Sequence, residues 1–267
     1  MSSESISSTH CSVPVIKKNN IMKKLDKIHH RHIISFTEEN YKNTVPLFFL
    51  RNNLCDIYTE EDVSEGFLLV PFGELKDLYL FGSFKQEKLK NFLLKLEDRR
   101  TLLCDTDLKS PVMATGVFRH VIKNIIYSFK DRHEDFLSFP CEVQKLSIEN
   151  RSDFALLPRD ASFIFKNFLS PDRFLTDGLS YAIFDQNRII SCAGTYAISD
   201  RYADICVYTV PWQRRKNASY KCAMALIKEL FLMNKCPTWT ADECHEPSRK
   251  LAEKLGMVEV DEICCFY

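Results

Sequence analysis

The sequence has no excess of either charge and no apolar run long enough to cross a membrane. Lysine and arginine together number 36, as do aspartate and glutamate, so the chain lacks the positive field that draws proteins to phosphate backbones or anionic lipids. No apolar run approaches the roughly 18 residues of a membrane span, and residues 1–30 contain no signal-peptide core. We therefore expect neither a nucleic-acid nor a membrane partner, and a cytoplasmic location.

Paired-cysteine and metal-ligand motifs are also missing. The eleven cysteines lie scattered in apolar segments without C-x-x-C spacing, which predicts buried free thiols in a reducing compartment. The cluster of His29, His30 and His32 has no carboxylate or cysteine at ligand spacing, and neighbouring side chains on one short segment rarely converge on an ion. We predict no metal site.

Composition and periodicity divide the chain into three regions. Residues 1–35, Ser-rich and then basic, are expected to form a flexible tail. An N-terminal α/β region is predicted for residues 36–140, and the most legible part of the chain, residues 175–267, is the core of a second region that spans 141–267. The boundary between these two regions is weakly marked in the sequence.

The region from 36 to 140 mixes short apolar runs with helical spacing. Gly66–Pro71 and Asp77–Gly82 are bounded by turn residues, as strands are. Apolar residues recur at helical spacing in Phe84–Arg99 and in Gly116–Lys130, which predicts two helices. Further along, Asp160 is expected to cap a short helix over Asp160–Phe168.

The last third of the chain has a clear order of strand, strand, strand, loop, helix, strand, helix, strand. A hairpin is predicted because two strand-like runs flank the turn Asp185–Asn187. Pro247 in a first turn and Gly256 just past the end are typical of a helix between them. The predicted elements, in chain order, are Leu179–Phe184, Arg188–Ile198, Ala203–Val210, Ser219–Asn234, Pro237–Asp242, Pro247–Leu255 and the segment ending at Tyr267.

The loop before the long helix has the chemistry of an anion site. A strand that stops at Pro211 and passes through a short loop into a helix directs unpaired backbone N–H groups and the helix dipole toward one point. Arg214, Arg215 and Lys216 add three cations there, as a pyrophosphate would require. A nucleotide hydrolase is a weak hypothesis, since the G-K-[ST] ending is missing.

The segment after the next strand decides between these hypotheses. Glu243–Met257 resembles the E-x-N-x-x-S-x-x-L-A-E-K-L-G-F pattern of the aminopolyol-antibiotic (zwittermicin-type) subgroup of the GCN5-related N-acetyltransferase (GNAT) superfamily. The resemblance covers about 90 residues. It implies a mixed α+β or α/β fold, with a mainly antiparallel central sheet flanked by helices and the N-terminal α/β region packed against it. It also implies acetyl-CoA as cosubstrate and an amine acceptor. The sequence leaves the oligomeric state, monomer or homodimer, open.

The resemblance also implies a set of cofactor-binding residues. The family's loop of Arg or Gln, two residues, Gly, one residue, and Gly or Ala aligns with Arg214–Ser219, with Asn217 where the first glycine is expected and Ser219 at the small position. A shifted frame that starts at Gln213 fits the following helix less well. Asn is the residue that best tolerates the left-handed backbone after glycine. The strand end, which splays from its neighbour, is expected to offer backbone groups to the pantetheine arm. His245 stands where the family has an Asn. The full set is Tyr208, Thr209, Val210, Arg214, Arg215, Lys216, Asn217, Ala218, Ser219, His245 and Ser248.

Catalytic residues are less defined. Acetyl transfer needs a deprotonated amine and an acid for the leaving thiolate. The family's usual tyrosine acid is replaced by Ala252. Asp204 and Glu243 are candidate bases, with His245 as a third, and Tyr208 is the candidate acid. The alternative is a GNAT-fold binding or interaction module without turnover, which Asn217 and the lack of glycine over 195–255 keep open.

Overall fold

The computed structural model describes residues 22–75, 77–96, 101–130 and 142–267. Within these ranges the chain forms twelve strands and nine α-helices. The strands are β1 (Lys23–Lys24), β2 (Cys55–Thr59), β3 (Gly66–Pro71), β4 (Asp77–Gly82), β5 (Thr101–Cys104), β6 (Val121–Ser128), β7 (Gln144–Lys145), β8 (Ser180–Asp185), β9 (Arg188–Ile198), β10 (Tyr202–Thr209), β11 (Cys236–Asp242) and β12 (Val258–Phe266). The helices are α1 (His30–Phe36), α2 (Thr44–Arg51), α3 (Gln86–Lys95), α4 (Lys109–Ala114), α5 (Arg151–Ala155), α6 (Phe163–Lys166), α7 (Pro171–Asp177), α8 (Ala218–Leu232) and α9 (Glu246–Lys254).

The order of elements predicted for the last third is confirmed. The β8–β9 turn carries left-handed backbone at Gln186 and Asn187, with φ of 46° and 62°, as two-residue hairpin turns require. Helix α9 starts with Pro247 in its first turn and is followed by Gly256 with φ of 86°. These turns and helix ends depend on the backbone preferences of the residues that form them, so they could be predicted from the sequence.

The helix predicted over Gly116–Lys130 is wrong, because this segment contains strand β6. Its residues run Val-Ile-Lys-Asn-Ile-Ile-Tyr-Ser, and β-branched and aromatic side chains favour the extended backbone. β6 is also bonded on both edges, to β12 and to β11. Backbone hydrogen bonds on two sides override a helical spacing that rested on a few apolar residues.

The segment expected to be a tail joins the fold from Met22 onward. β1 pairs with β2, and α1 contributes Ile33, which is fully buried. Residues 1–21 of the predicted tail, as well as Cys141 and the stretch 131–140 near the predicted boundary, lie outside the described residues. Asp160 does not cap a helix: α6 begins after Ser162, and no side chain caps it.

The mainly antiparallel sheet with flanking helices is confirmed, and its order repeats. The described strands form one sheet in the order β1-β2-β3-β4-β5-β12-β6-β11-β10-β9-β8-β7. From the central β12–β6 pair outward, the two halves of the sheet have equivalent strands in the same order, β5 to β1 on one side and β11 to β7 on the other. In each half one pair is parallel, β4 with β5 and β10 with β11, and the other described pairings are antiparallel. The run β4-α3-β5-α4-β6 therefore recurs as β10-α8-β11-α9-β12.

The two repeats exchange their last strands. β6 comes from the first repeat but lies against β11 of the second, and β12 lies against β5 of the first. The core is likewise shared, because one apolar cluster joins α2 and β2–β4 to α5–α7 and β8–β10. The regions predicted for 36–140 and 141–267 are thus built into one continuous sheet, and this brings equivalent positions of β4 and β10 toward each other.

Helix α8 covers the second half of the sheet with one apolar face. Cys222, Ala223, Leu226, Ile227 and Leu230 are fully buried against the sheet. Burying one such aliphatic side chain contributes roughly 1.5–3 kcal/mol. This packing fixes the start of α8 beside the end of β10.

Candidate functional site

Strands β10 and β11 part where the candidate site begins. Their parallel pairing runs only from Tyr202 with Cys236 to Asp204 with Thr238, although β10 continues to Thr209 and β11 to Asp242. The β9–β10 pairing shifts register between Asp204 and Ile205, and such a bulge bends a strand. The splay that the family resemblance implies is present, and it leaves one edge of β10 without a strand partner.

The loop after β10 turns sharply into α8. Arg215 and Asn217 are both left-handed, with φ of 63° and 62°, and Asn217 is the residue just before the helix. Asn thus adopts the conformation for which the family uses glycine. Residues 214–217 are exposed, and the helix itself begins at Ala218. The loop is therefore open to solvent and is not wound into regular helix.

Backbone amides of this loop are available to a ligand. The first helical hydrogen bond of α8 runs from the Lys221 amide to the Asn217 carbonyl at 3.1 Å. Within the described part of the chain, no backbone hydrogen bond is donated by residues 215–220. These six consecutive amides, three in the loop and three in the first turn of a 15-residue helix, have the helix dipole behind them, an arrangement that suits an anion.

The cleft between β10, α8 and α9 has a volume of about 1020 Å³. Arg214, Arg215, Lys250 and Lys254 line it, and Asp160 is the carboxylate in its described lining. Lys250 is paired with Glu246, and the other three cations against one carboxylate favour a ligand rich in phosphate. The Lys254 ammonium donates to Asn217 Oδ1 at 2.8 Å and so ties α9 to the loop.

Helix α9 supplies polar groups to the other wall of the cleft. His245 lies at its N-terminus and lines the cleft with Ser248. The Ser248 hydroxyl accepts a 2.9 Å hydrogen bond from Trp239 Nε1, so its own proton can be donated to a ligand. Thr209 and Tyr208 line the opposite wall.

Tyr208 is held by a carboxylate from a distant part of the chain. Its hydroxyl lies 3.2 and 3.3 Å from the two carboxylate oxygens of Asp160. Burial raises the Tyr208 pKa, and so does the negative charge of Asp160. Tyr208 therefore stays protonated at neutral pH and is able to act as a proton donor in the cleft.

Asp204 is deeply buried at the point where the strands part. It is 6% exposed, and its Oδ1 accepts hydrogen bonds from the hydroxyls of Thr238 at 3.1 Å and Thr240 at 3.4 Å. Burial raises its pKa to about 7, against a smaller lowering by the two hydroxyls. A carboxyl with this pKa is suited to take and return a proton near neutral pH.

Asp204 lines a second cavity rather than the cleft itself. This central cavity, of about 250 Å³, lies between the two repeats, and Tyr41, Asp77, Asn124, Tyr196 and Asp204 are part of its wall. Phe163, Ile205, Cys206 and Thr240 line both the cleft and the central cavity. The two spaces therefore meet at the splay.

Three predicted site residues lie elsewhere. Glu243 lies outside the lining of both spaces, and its carboxylate accepts the Lys123 backbone N–H at 3.0 Å. Val210 is buried and its amide donates to Ile190. The Lys216 ammonium is exposed and donates to Gln213 at 2.9 Å. These contacts give Glu243 and Val210 structural roles in the described chain.

Sequence reasoning missed several residues of the cleft. Lys250 and Lys254 lie four residues apart on α9, and this helical spacing could have placed both on one face. Asp160 and Phe163 reach the cleft from a segment that ends well before β10 begins at Tyr202, and no local pattern marks them. Only the packing of α6 beside β10 brings them there.

Comparison with known proteins decides the family. The family model for GNAT acetyltransferase matches residues 117–266, which is more than half of the chain. The chain belongs to the GNAT acetyltransferase family. The GNAT match begins just before β6 and ends with β12, so it covers the exchanged strands as well as the cleft.

A curated GNAT relative agrees over a shorter range. The uncharacterized N-acetyltransferase YdfB of Bacillus subtilis (strain 168) is 26% identical over 98 residues, which is 37% of this chain and 38% of that protein. The chain thus matches well under half the length of this relative.

Solved structures share the fold over nearly the whole chain. A GCN5-related N-acetyltransferase-like protein from Streptococcus suis 89/1591 has a TM-score of 0.70 at 19% identity, covering 90% of this chain and 99% of that one. A tandem GNAT protein from the clavulanic acid biosynthesis pathway has a TM-score of 0.59 at 11% identity, covering 92% of this chain and 97% of that one. The match to a tandem protein agrees with the repeated strand order.

Two further findings bear on the expected partners. Across residues 22–75, 77–96, 101–130 and 142–267, no helix has the length and apolar character to cross a bilayer. The same residues contain no group of three or more His, Cys, Asp and Glu side chains placed to hold a metal ion.

Proposed function

We propose that this chain is an acetyl-CoA-dependent N-acetyltransferase that transfers an acetyl group to a primary amine of a small molecule or protein. The observation that supports it most directly is the loop 214–217, with its left-handed Asn217 and the undonated amides of residues 215–220 at the start of α8. Arg214 and Arg215 add charge at the same wall of the cleft. A diphosphate is the ligand that this arrangement fits.

The splay between β10 and β11 supports a binding position for the thioester along the free edge of β10. Acetyl-CoA would supply the activated acetyl group, and the free edge of β10 would offer backbone groups to its pantetheine arm. His245 and Ser248 face that edge across the cleft. The chain's role here is to hold and orient, and orientation of an amine against a thioester contributes much of the rate in such transfers.

Two residues are proposed to move protons. Asp204, with its pKa of about 7, would take a proton from the incoming ammonium group. Tyr208 would donate a proton to the leaving thiolate, with Asp160 as the residue that positions its hydroxyl. Glu243 is not assigned as the base, because its carboxylate is engaged with the Lys123 amide.

The two regions of the chain are assigned different roles. We propose that residues 141–267 hold the cosubstrate and that residues 36–140 shape the acceptor side. We also propose that, within the family, the chain is related to the zwittermicin-type subgroup, because Glu243–Met257 resembles the sequence pattern of that subgroup. Every cysteine in the described ranges is a free thiol, which supports a reducing, cytoplasmic setting.

Titration calorimetry with acetyl-CoA tests the binding loop. The native protein is expected to bind, and the double variant Arg214→Ala with Arg215→Ala is expected to bind about ten-fold more weakly at low salt, since charge-assisted contacts to phosphate are lost. Arg188→Ala, an exposed arginine on the β8–β9 hairpin, is the matched control. No binding by the native protein would refute the proposal and favour a GNAT-fold module without turnover.

A further inference from the structure

We propose that the central cavity is the acceptor site and that it selects a small molecule with two amino groups, one held by Asp77 and the other presented to Asp204 for acetylation. This rests on the proposed function, because the amine held here is the acetyl acceptor. The cavity is about 250 Å³ in volume and meets the cleft at residues that line both spaces, such as Cys206 and Thr240.

The two carboxylates are related by the internal repeat. Asp77 opens β4, lies opposite Thr101 of the parallel strand β5 and is hydrogen-bonded to it. Asp204 in β10 lies opposite Thr238 of the parallel strand β11 and is hydrogen-bonded to that threonine. The exchange of β6 and β12 places the two aspartates of these equivalent pairs on the wall of one cavity.

Neither carboxylate has a cationic partner in the described chain. The ion pairs between described residues do not include Asp77 or Asp204, and Asp204 Oδ2 has no hydrogen bond there although the residue is 6% exposed. Lys42 also lines the cavity, but its ammonium lies 2.8 Å from Asp105 and 3.6 Å from Asp261, which are outside the lining. The cavity wall therefore carries two acids whose charge is not balanced.

An unbalanced buried carboxyl is costly unless a ligand supplies the opposite charge. Burial raises the pKa of Asp77 to about 6 and that of Asp204 to about 7. A ligand with two ammonium groups would favour the charged form of both residues. Tyr79 and Tyr196 complete this part of the wall, and aromatic rings are good neighbours for organic cations.

Asp204 and Asp77 have different roles because they lie at different positions in the cavity wall. Asp204 lies at the splay, next to residues that the cleft shares, so the amine beside it is the one that the thioester can reach. Asp204 first takes one proton from this ammonium group, and the neutral amine nitrogen then bonds to the acetyl carbon. The thioester C–S bond breaks, Tyr208 protonates the leaving sulfur, and the second proton lost by the nitrogen restores the Tyr208 hydroxyl. Asp77 lies on the first repeat and only anchors the far amino group.

Calorimetric titration with α,ω-diaminoalkanes of three to six carbons, compared with n-alkylamines of equal length, tests the inference. Titrations are run with and without saturating CoA, so that an ordered binding sequence is also covered. The native protein is expected to bind the best diamine about ten-fold or more tightly than its matched monoamine, as a second charged hydrogen bond implies. Asp77→Asn is expected to abolish this preference and leave acetyl-CoA binding unchanged.

Asp56→Asn is the matched control, since Asp56 lies on β2 of the same repeat and pairs with Lys24 outside the cavity. It should keep the preference for diamines. Equal affinity for diamine and monoamine, a preference that survives Asp77→Asn, or no amine binding by a protein that binds acetyl-CoA would each overturn the inference. Diamine binding without acetyl-CoA binding would support this site and refute the proposed transferase function, so the two failures are distinguishable.

Discussion

Replacing Asp204 by asparagine is expected to change how the stability of the folded protein depends on pH. The carboxyl is 6% exposed, and burial raises its pKa from 3.8 to about 7. Because the folded protein holds this proton more tightly than the unfolded chain does, protonation stabilises the fold. That contribution is complete below about pH 4, where the unfolded carboxyl is also protonated, and it is lost as pH rises through 7.

The expected size follows from the two pKa values. With 3.8 in the unfolded chain and about 7 in the folded protein, the proton contributes about 2.7 kcal/mol to the free energy of unfolding at pH 5 and less than about 0.1 kcal/mol at pH 8. The native protein therefore loses about 2.6 kcal/mol from this residue over that range. The side-chain amide of the Asp204→Asn variant does not titrate, and its oxygen can still accept a hydrogen bond from the Thr238 hydroxyl.

Urea unfolding at pH 5, 6, 7 and 8 measures the effect. The free energy of unfolding of Asp204→Asn minus that of the native protein should rise by about 2.6 kcal/mol between pH 5 and pH 8. Taking this difference removes other groups that titrate, such as His30, whose pKa is lowered by burial. Asp185→Asn, exposed on the hairpin, is the control. Parallel curves for Asp204→Asn and the native protein would refute the reasoning.

Three further predictions concern the loop, the sheet and the proton donor. Asn217→Gly should bind acetyl-CoA with an affinity close to the native one, and Asn217→Val should bind more weakly, because a β-branched residue resists a φ of 62°; equal affinities in calorimetry would argue against a left-handed requirement. Gly194→Ala should lower the free energy of unfolding by about 1–3 kcal/mol, since its Cβ would lie 2.7 Å from the Phe174 ring; an unchanged urea midpoint would contradict this. Tyr208→Phe should lower kcat about a hundred-fold with an unchanged dissociation constant for acetyl-CoA, and an unchanged kcat would remove Tyr208 as the acid.

The elements of the second repeat could be predicted from short-range signals in the sequence. The left-handed pair at Gln186 and Asn187 and the Pro247 start of α9 are properties of a few adjacent residues, and the sequence states them without help from the rest of the fold. The same holds for the loop, where Asn217 could be assigned a left-handed backbone from its side-chain type. The phosphate-binding hypothesis was therefore accessible from sequence.

Long-range contacts decided what the sequence could not. β6 is a strand because β11 and β12 bond both of its edges, and its apolar spacing alone indicated a helix. Asp160 reaches Tyr208 across 48 positions in the chain, a separation at which no sequence pattern predicts a contact.

By itself, the sequence determined the order of elements in residues 175–267, the cationic loop and the family resemblance, because each depends on the backbone preferences and charges of neighbouring residues. The tertiary structure alone decided that the repeats exchange strands, that Asp77 and Asp204 share one cavity, and that burial moves their pKa values. Burial and distance are properties of the packed chain, since they depend on which residues the sheet brings together.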